Sequence, residues 1–428
     1  MPNPFIAEIA EALSCNTEGL DFSGAGALPS TFRVTDLAAA SVAAAGCALA
    51  DLVKGACPGA SKPDLTVDRR FASFWFGWSL RPDGWEVPSV WDPIAGDYQA
   101  SDGWIRLHTN APHHRDAAVG VLGCTPDRES VAAAVSKWRA DELETAIVAN
   151  HGAAAAMRSR QVWADHPQGR AVNSEPLVHS ELHQADRPWT RPLDPSRPLA
   201  GVRVLDLTRV LAGPVAGRFL AAYGASVLRI DPPSWNEPGV IPEVTLGKRC
   251  AGLDLTLSQD RQVFERLLAE CNILLLGYRP GAMENRGYGA AERRAINPDL
   301  IDVSLCAYGW TGPWKTRRGF DSLLQMSSGI ADTGMHWAHA EKPTPLPVQA
   351  LDHATGYLMA AAALTGLSAR IEDGSPATKR LSLARTAHLL TRQGGPETEA
   401  EHAPETDMDH SGVIEQTTWG RQEGFVFL

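Results

Sequence analysis

Along the chain, apolar and polar positions fall into two regions of different rhythm. From Val202 onward, short β-branched and leucine runs alternate with stretches of helical spacing: "VRVLDL", then "GPVAGRFLAAYG" closed by Gly224, then "ASVLRID". This is a βαβ unit. The alternation continues through "GLDL", the helical "SQDRQVFERLLAEC" opened by Ser258 as its N-cap, "NILLLGY" and "LIDVSLCAY". It predicts a parallel sheet covered by helices. The first region is less regular. It holds an alanine-rich helix at "DLAAASVAAAGCALADLVKG", an aromatic stretch "RRFASFWFGWSLRPDGW", a strand at "SDGWIRLHTN" and helices around "DRESVAAAVSKW" and "ADELETAIVANHG", a mixed α+β pattern. Pro188, Pro192, Pro195 and Pro198 punctuate the stretch between the regions and predict an extended connector. The expected division is therefore 1–185, a linker over 186–200, a sheet domain over 201–395 and a polar, flexible tail over 396–428.

Composition narrows the class. The chain has 428 residues, 44% of them hydrophobic and 21% charged, enough for a large core and about two or three domains of roughly 100–200 residues. A net charge of -11 argues against a surface built to neutralise nucleic-acid phosphates, while leaving room for a local basic cleft. Seven scattered cysteines, never in a C-x-x-C pair, suit a reducing cytoplasm and imply no metal site. "MPNPFIAEIAEALSC" has no basic start followed by a long apolar run, and no segment reaches about 18 uninterrupted apolar residues, so neither export nor a membrane span is expected. The βαβ start has no G-x-G-x-x-G, so no nicotinamide site is expected. His108, His113 and His114 in "HTNAPHH" lack a carboxylate or cysteine at ligand spacing and are expected in an exposed turn. Phe71, Phe74, Trp75, Phe76 and Trp78 read as core or subunit interface, or as a wall for an acyl group.

One carboxylate stands out. In "LPVQALDHATGY", Asp352 lies between an apolar approach and an alanine-rich helix, where it either caps the helix or does chemistry. Sliding Asp36–Phe74 onto Asp352–Leu390 without gaps matches Asp36, Ala38, Ala44, Ala45, Leu65 and Arg69 identically. Both copies read as Asp, alanine-rich helix, turn and a short strand of the form L-[ST]-[VL]-x-R, so the carboxylate at a helix mouth appears twice.

The runs "PLAGVRVLDLTRVLAGPVAGRFLAAYGASVLRID", "GKRCAGLDL", "ILLLGYRPGAMENRGYG", "INPDLIDVSLCAYGWTGPW" and "GFDSLLQMSSGIADTG" together resemble the family III CoA-transferases of the CaiB/BaiF type, a superfamily that includes α-methylacyl-CoA racemases. The resemblance runs from about Pro198 to Arg385. Pieces of the first region, "GDYQASDGWIRLHTNAPHHRDAAVGVLG" and "GAAAAMRSRQVWADHPQG", resemble the family's smaller domain, which normally follows the catalytic half, so the order looks rearranged. The resemblance implies an α/β fold with a Rossmann-like parallel sheet plus a smaller α+β domain. It also implies acyl-CoA and small carboxylic acids as substrates, and a homodimer that is interlocked in family members.

Residue roles follow from the same resemblance. Asp352, with Gly356 nearby, matches the family's nucleophile, and Asp36 lacks that glycine. A carboxylate can split CoA exchange into covalent steps through an aspartyl anhydride, and backbone N–H groups at the helix start can stabilise the oxyanions. As a plain N-cap, Asp352 contributes about 1 kcal/mol. Tyr308 matches a tyrosine near the active site of formyl-CoA transferase-like members, or else packs at a strand end. Val210 and Leu211 fall on the adenine side of coenzyme A, with Lys248, Arg249, Tyr278 and Arg286 further along it; otherwise the aliphatic pair is core and the basic pair a solvated loop. Pro232 and Cys306 stand where members carry basic residues. Phe320 stands where the racemases carry the histidine of a His-Asp pair, which favours transferase over isomerase, since phenylalanine moves no proton. Asp321 reads as a cap of its own helix or as an acid/base group. A silent CoA-binding partner subunit is the reading from another class.

Overall fold

The computed structural model describes residues 3–57, 59–396 and 399–425. The chain opens with α1 (Ile6–Leu13), β1 (Leu20–Ser23), α2 (Val34–Ala56), β2 (Leu65–Asp68), α3 (Arg69–Trp75) and β3 (Leu80–Asp83). Next come β4 (Gly96–Gln99), β5 (Trp104–Leu107), α4 (Pro112–Leu122), α5 (Arg128–Val135), α6 (Ala140–Ala149) and β6 (Ala154–Ala156). These last six form a small unit of their own, an antiparallel sheet in the order β4-β5-β6 packed on its helices through Tyr98, Ile105, Val131, Leu143 and Ile147. α7 (Arg160–Asp165), α8 (Pro167–Asn173) and β7 (His179–Leu182) complete the first region.

The second region alternates as expected: β8 (Arg203–Leu207), α9 (Ala212–Ala222), β9 (Ser226–Asp231), α10 (Ile241–Val244), β10 (Arg249–Gly252), α11 (Ser258–Glu270), β11 (Ile273–Leu276), α12 (Ala290–Ile296) and β12 (Ile301–Cys306). Then follow α13 (Asp321–Ser327), α14 (Ile330–Trp337), α15 (Ala350–Glu372), β13 (Ala377–Ser382), α16 (Leu383–Arg392), β14 (His410–Thr417) and β15 (Gly420–Phe425). The main sheet has the order β10-β9-β8-β11-β12-β13-β7, with only β7 antiparallel. Counting from β8, its six parallel strands stand 3-2-1-4-5-6, the doubly wound order. β11 and β12 are buried at every position, which is why they read as unbroken apolar runs rather than alternating ones. The order reverses between β8 and β11, so the crevice beyond their C-terminal ends is where such a sheet takes a ligand.

The two regions share one core. β7 pairs with β13, and α2 packs along α15 in the same buried cluster. The connector over 186–200 is irregular, yet the packing does not divide there. α2 is long and apolar enough to cross a bilayer by length and composition, but 89% of its apolar window is buried, so its hydrophobicity serves the α2–α15 contact. α2 and α15 each run 23 residues with the aspartate in third place, and Arg33 and Gln349 before them have nearly the same backbone angles, φ -76 ψ 65 and φ -75 ψ 63. In each copy a strand and a further helix follow, β2–α3 and β13–α16.

The tail departs from expectation. Within 396–428, β14 and β15 form a hairpin, and β15 pairs antiparallel with β3 from the first region. The polar residues that read as flexible sit on the exposed β14, and Phe425 of β15 stacks on Phe74 at 5.4 Å. That long-range packing supplies what local propensity does not.

Candidate active site

Prolines 345 and 347 hold the approach to α15 extended, and the helix begins at Ala350. Its first turn is capped from outside: Asp321 Oδ2 accepts the N–H of both Leu351 and Asp352 at 2.9 Å. Asp321 Oδ1 takes Gln325 Nε2 at 2.5 Å, and Gln325 Oε1 takes the Leu346 N–H at 2.7 Å, tying the approach segment to α13. Asp321 thus caps α15, not its own helix. The Ala350 N–H bonds Val348 and the His353 N–H bonds Gln349, so the N–H groups at the helix mouth are already engaged. The oxyanion role expected of them is not available in this arrangement.

Two buried carboxyls now face one site. Asp352 is 6% exposed and Asp321 1%. Burial, then the neighbouring Asp321 charge, pushes the Asp352 pKa well above the usual carboxylate range. Burial also pushes Asp321 up to about 6, against the pull of Gln325 and the two backbone donors. Gly356, one turn on, is required by packing: a Cβ there would lie 2.4 Å from the Ala212 carbonyl oxygen on α9.

Asp36 lives in a different field. Arg33 Nη1 and Arg69 Nη2 each lie 3.1 Å from its carboxylate, and Arg69 also holds Glu399 at 2.8 Å. A carboxylate clamped by guanidinium groups is a poor nucleophile, because its charge is already stabilised where it stands. Asp36→Asn is expected to leave acyl labelling of the protein unchanged while costing about 1–2 kcal/mol of stability, read by urea unfolding.

Around Phe320, the histidines expected in an exposed turn are mostly buried. His108 stacks on Phe320 with ring centroids 3.7 Å apart, His114 meets the same ring edge-on at 5.8 Å, and burial pushes both imidazoles down to about 3. Only His113 of the three is exposed. Tyr308 is fully buried, its hydroxyl 3.1 Å from Ser327 Oγ and its ring edge-on to Trp314 at 5.2 Å.

At the C-terminal edge of the sheet, Val210 and Leu211 follow β8. Val210 adopts a left-handed backbone, φ 67, and its N–H bonds Glu237 at 3.0 Å. Lys248 does not reach this edge. Its Nζ is buried 2.8 Å from Asp206 and from the Pro214 carbonyl, so it is neither a solvated loop residue nor placed for a phosphate. Burial pulls its pKa down and the Asp206 charge pulls it back. Arg249 sits on the edge strand and donates to Ser226 at 3.1 Å, while exposed Arg286 donates to the Ala282 carbonyl at 2.9 Å.

Three cations that sequence reasoning missed lie in the loops after β8, β11 and β12: Arg209, Arg279 and Arg318. Arg209 is sandwiched between Trp235 and Tyr278, 4.4 and 4.6 Å from their ring centroids. Burial and the charge of Arg279 both pull down the pKa of Arg318, and those of Arg318 and Arg209 add to burial in pulling down that of His113. None of the three arginines has an acid within ion-pair distance among the described residues. The signal was available, since a basic residue shortly after each of several parallel strands lies at the ligand edge of such a sheet.

Comparison with known proteins gives the same family. Residues 199–428 match the model of CoA-transferase family III. The chain is 36% identical over 195 residues to a probable fatty acyl-CoA transferase of Mycobacterium tuberculosis, covering 42% of this chain and 49% of that protein. It is 34% identical over 205 residues to the mouse (Mus musculus) succinyl-CoA:glutarate CoA-transferase, covering 44% and 46%. A solved CaiB/BaiF family protein from Brucella suis aligns with a TM-score of 0.42 at 25% identity, over 53% of this chain and 65% of that one. The chain spans about half the length of the curated relatives it matches. A family match over more than half of this chain, on a doubly wound sheet that carries a buried aspartate at the mouth of α15, establishes that the protein belongs to CoA-transferase family III.

Proposed function

We propose that this protein is an acyl-CoA:carboxylate CoA-transferase with Asp352 as its nucleophile. The observation that carries the reading is the environment of Asp352: a buried carboxyl beside a second carboxyl, with no compensating cation among its printed partners, at a helix mouth next to a crevice edged by cations. Ionised in such a site, it gains most by attacking an electrophile. Its oxygen adds to the thioester carbonyl and expels the CoA thiolate, leaving a mixed anhydride. The thiolate then attacks the aspartyl carbonyl, releasing the donor acid and forming an aspartyl-CoA thioester. The acceptor carboxylate repeats the exchange in reverse, and Asp352 is regenerated. Asp321 is a positioning residue here, holding the first turn of α15. Phe320, stacked on His108, carries no proton and does not favour racemisation.

In this reading Arg209, Arg279 and Arg318 hold the phosphates of coenzyme A, with Val210, Leu211 and Tyr278 along the nucleotide, and Tyr308 supports α13 from the core. Arg279→Ala and Arg318→Ala are each expected to weaken CoA binding about tenfold, roughly 1.4 kcal/mol, and to flatten its salt dependence, as read by calorimetry. Residues 1–185 supply the family's distal half ahead of the catalytic half, and the working form is a homodimer.

The pH dependence has a definite sign. Only the ionised nucleophile attacks, and both carboxyls of the pair are raised, so the transfer rate rises with pH across and above about 6. A rate that falls over that range contradicts the assignment. The direct test incubates the protein with succinyl-, acetyl- and long-chain acyl-CoA and a set of free acids, and follows new acyl-CoA by mass spectrometry. Transfer from at least one donor is expected. Tight CoA binding with no exchange from any donor would indicate a silent binding subunit.

A further inference from the structure

A cavity of about 460 Å³ lies between α2, α9, α15 and the β14–β15 hairpin. Its size falls in the roughly 300–1,000 Å³ range of small-molecule sites. Neither Asp352 nor the arginines of the sheet edge line it. The backbone of α9 closes on α15 at Gly356, between Asp352 and the cavity residue Tyr357. The walls are largely apolar, built by Val42, Leu65, Leu80, Phe219, Tyr357 and Phe425.

Two polar atoms on this wall lack a hydrogen-bond partner among the described residues: His353 Nδ1 and Gln422 Oε1. Both residues are buried, at 3% and 1% exposure, and both line the cavity. A buried acceptor left unmet is unfavourable, and two in one cavity point to a missing partner. An amide oxygen only accepts, so that partner must donate. The charge on the wall limits its nature. Arg218 is ion-paired to Glu243, which also accepts from Ser79 Oγ at 2.5 Å, and exposed Glu415 adds a negative charge. His353 is held neutral by burial. A carboxylate would find no free cation here.

We propose that this cavity is a second binding site, for a neutral amphiphile: an aliphatic chain or ring body ending in a hydroxyl or amide that donates to Gln422 Oε1 and meets His353 Nδ1. The hydrocarbon fills the apolar walls, and the head group satisfies the two unmet atoms. Occupancy links the hairpin to α9 and α15, so binding raises the melting temperature of the whole chain.

The test uses 1-octanol and octanoate as probes on the full chain at pH 8, by calorimetry and thermal melting. The expected result is 1-octanol binding with a Kd below about 1 mM, and octanoate at least tenfold weaker. Gln422→Leu, which keeps the volume and removes the acceptor, should weaken 1-octanol at least fivefold. Val42→Phe, which fills the cavity, should abolish binding of both. Absence of 1-octanol binding, equal affinity for octanoate, or unchanged affinity in both variants overturns the proposal. So does a crystal structure from 1-octanol-soaked crystals in which waters alone occupy His353 Nδ1 and Gln422 Oε1.

Discussion

Asp352→Asn is expected to lower CoA transfer at least a thousandfold while making the folded protein more stable at pH 8. The loss follows from chemistry, since an amide at this position cannot form the anhydride, and removing a covalent nucleophile costs on the order of 10³–10⁶ in rate. The gain follows from linkage. Both carboxyls of the pair have folded-state pKa values raised above those of the unfolded chain. The stability they contribute is fully present below about pH 4 and is lost as pH rises through about 6 and beyond, because the fold then holds like charges in a buried site. Asn removes one of them. We expect a gain of about 1–3 kcal/mol at pH 8 that shrinks toward pH 4, measured by urea unfolding at the two pH values. A variant equally stable to wild type at both would mean that the pair is not strained.

Lys248→Met is expected to destabilise the fold by about 3–5 kcal/mol without weakening CoA binding by the protein that remains folded. Lys248 Nζ and Asp206 Oδ2 are 2.8 Å apart with both side chains fully buried, and Asp206 also accepts the Thr208 N–H at 3.0 Å. Removing the ammonium strands a carboxylate beneath α9. The double variant Asp206→Asn, Lys248→Met removes both charges and should recover most of the loss, which separates ion pairing from lysine packing. Weak CoA binding with unchanged stability would return Lys248 to the cofactor edge.

These two residues mark how far the sequence could be read. β8, β9, β11 and β12 were legible because buried parallel strands leave unbroken apolar runs, a local signal. The doubled helix was legible too, since α2 and α15 start and end in register with the repeat. Asp352 could be singled out, yet spacing alone could not separate a cap from a nucleophile. What settles its surroundings is Asp321, which reaches α15 only because the segment between α13 and α15 folds back and Gln325 pins Leu346. Lys248 misled for a related reason: its partner Asp206 lies 42 residues away on another strand, and a basic residue reads as solvated until its partner is known. His108 reads as a turn residue until the small sheet carries it against Phe320. The hairpin of β14 and β15 is polar by composition and finds its order through β3. In each case the missing information is a contact between distant segments, which periodicity does not carry.

The central claim is that Asp352 becomes covalently acylated. The most direct test is peptide mass mapping after incubation with a panel of acyl-CoA donors and quenching with hydroxylamine, which converts aspartyl anhydrides and thioesters to a hydroxamate. The account predicts a hydroxamate at Asp352 with at least one donor, absent in Asp352→Asn and retained in Asp36→Asn. A hydroxamate at Asp36, or none with any donor in protein that binds CoA, would contradict it.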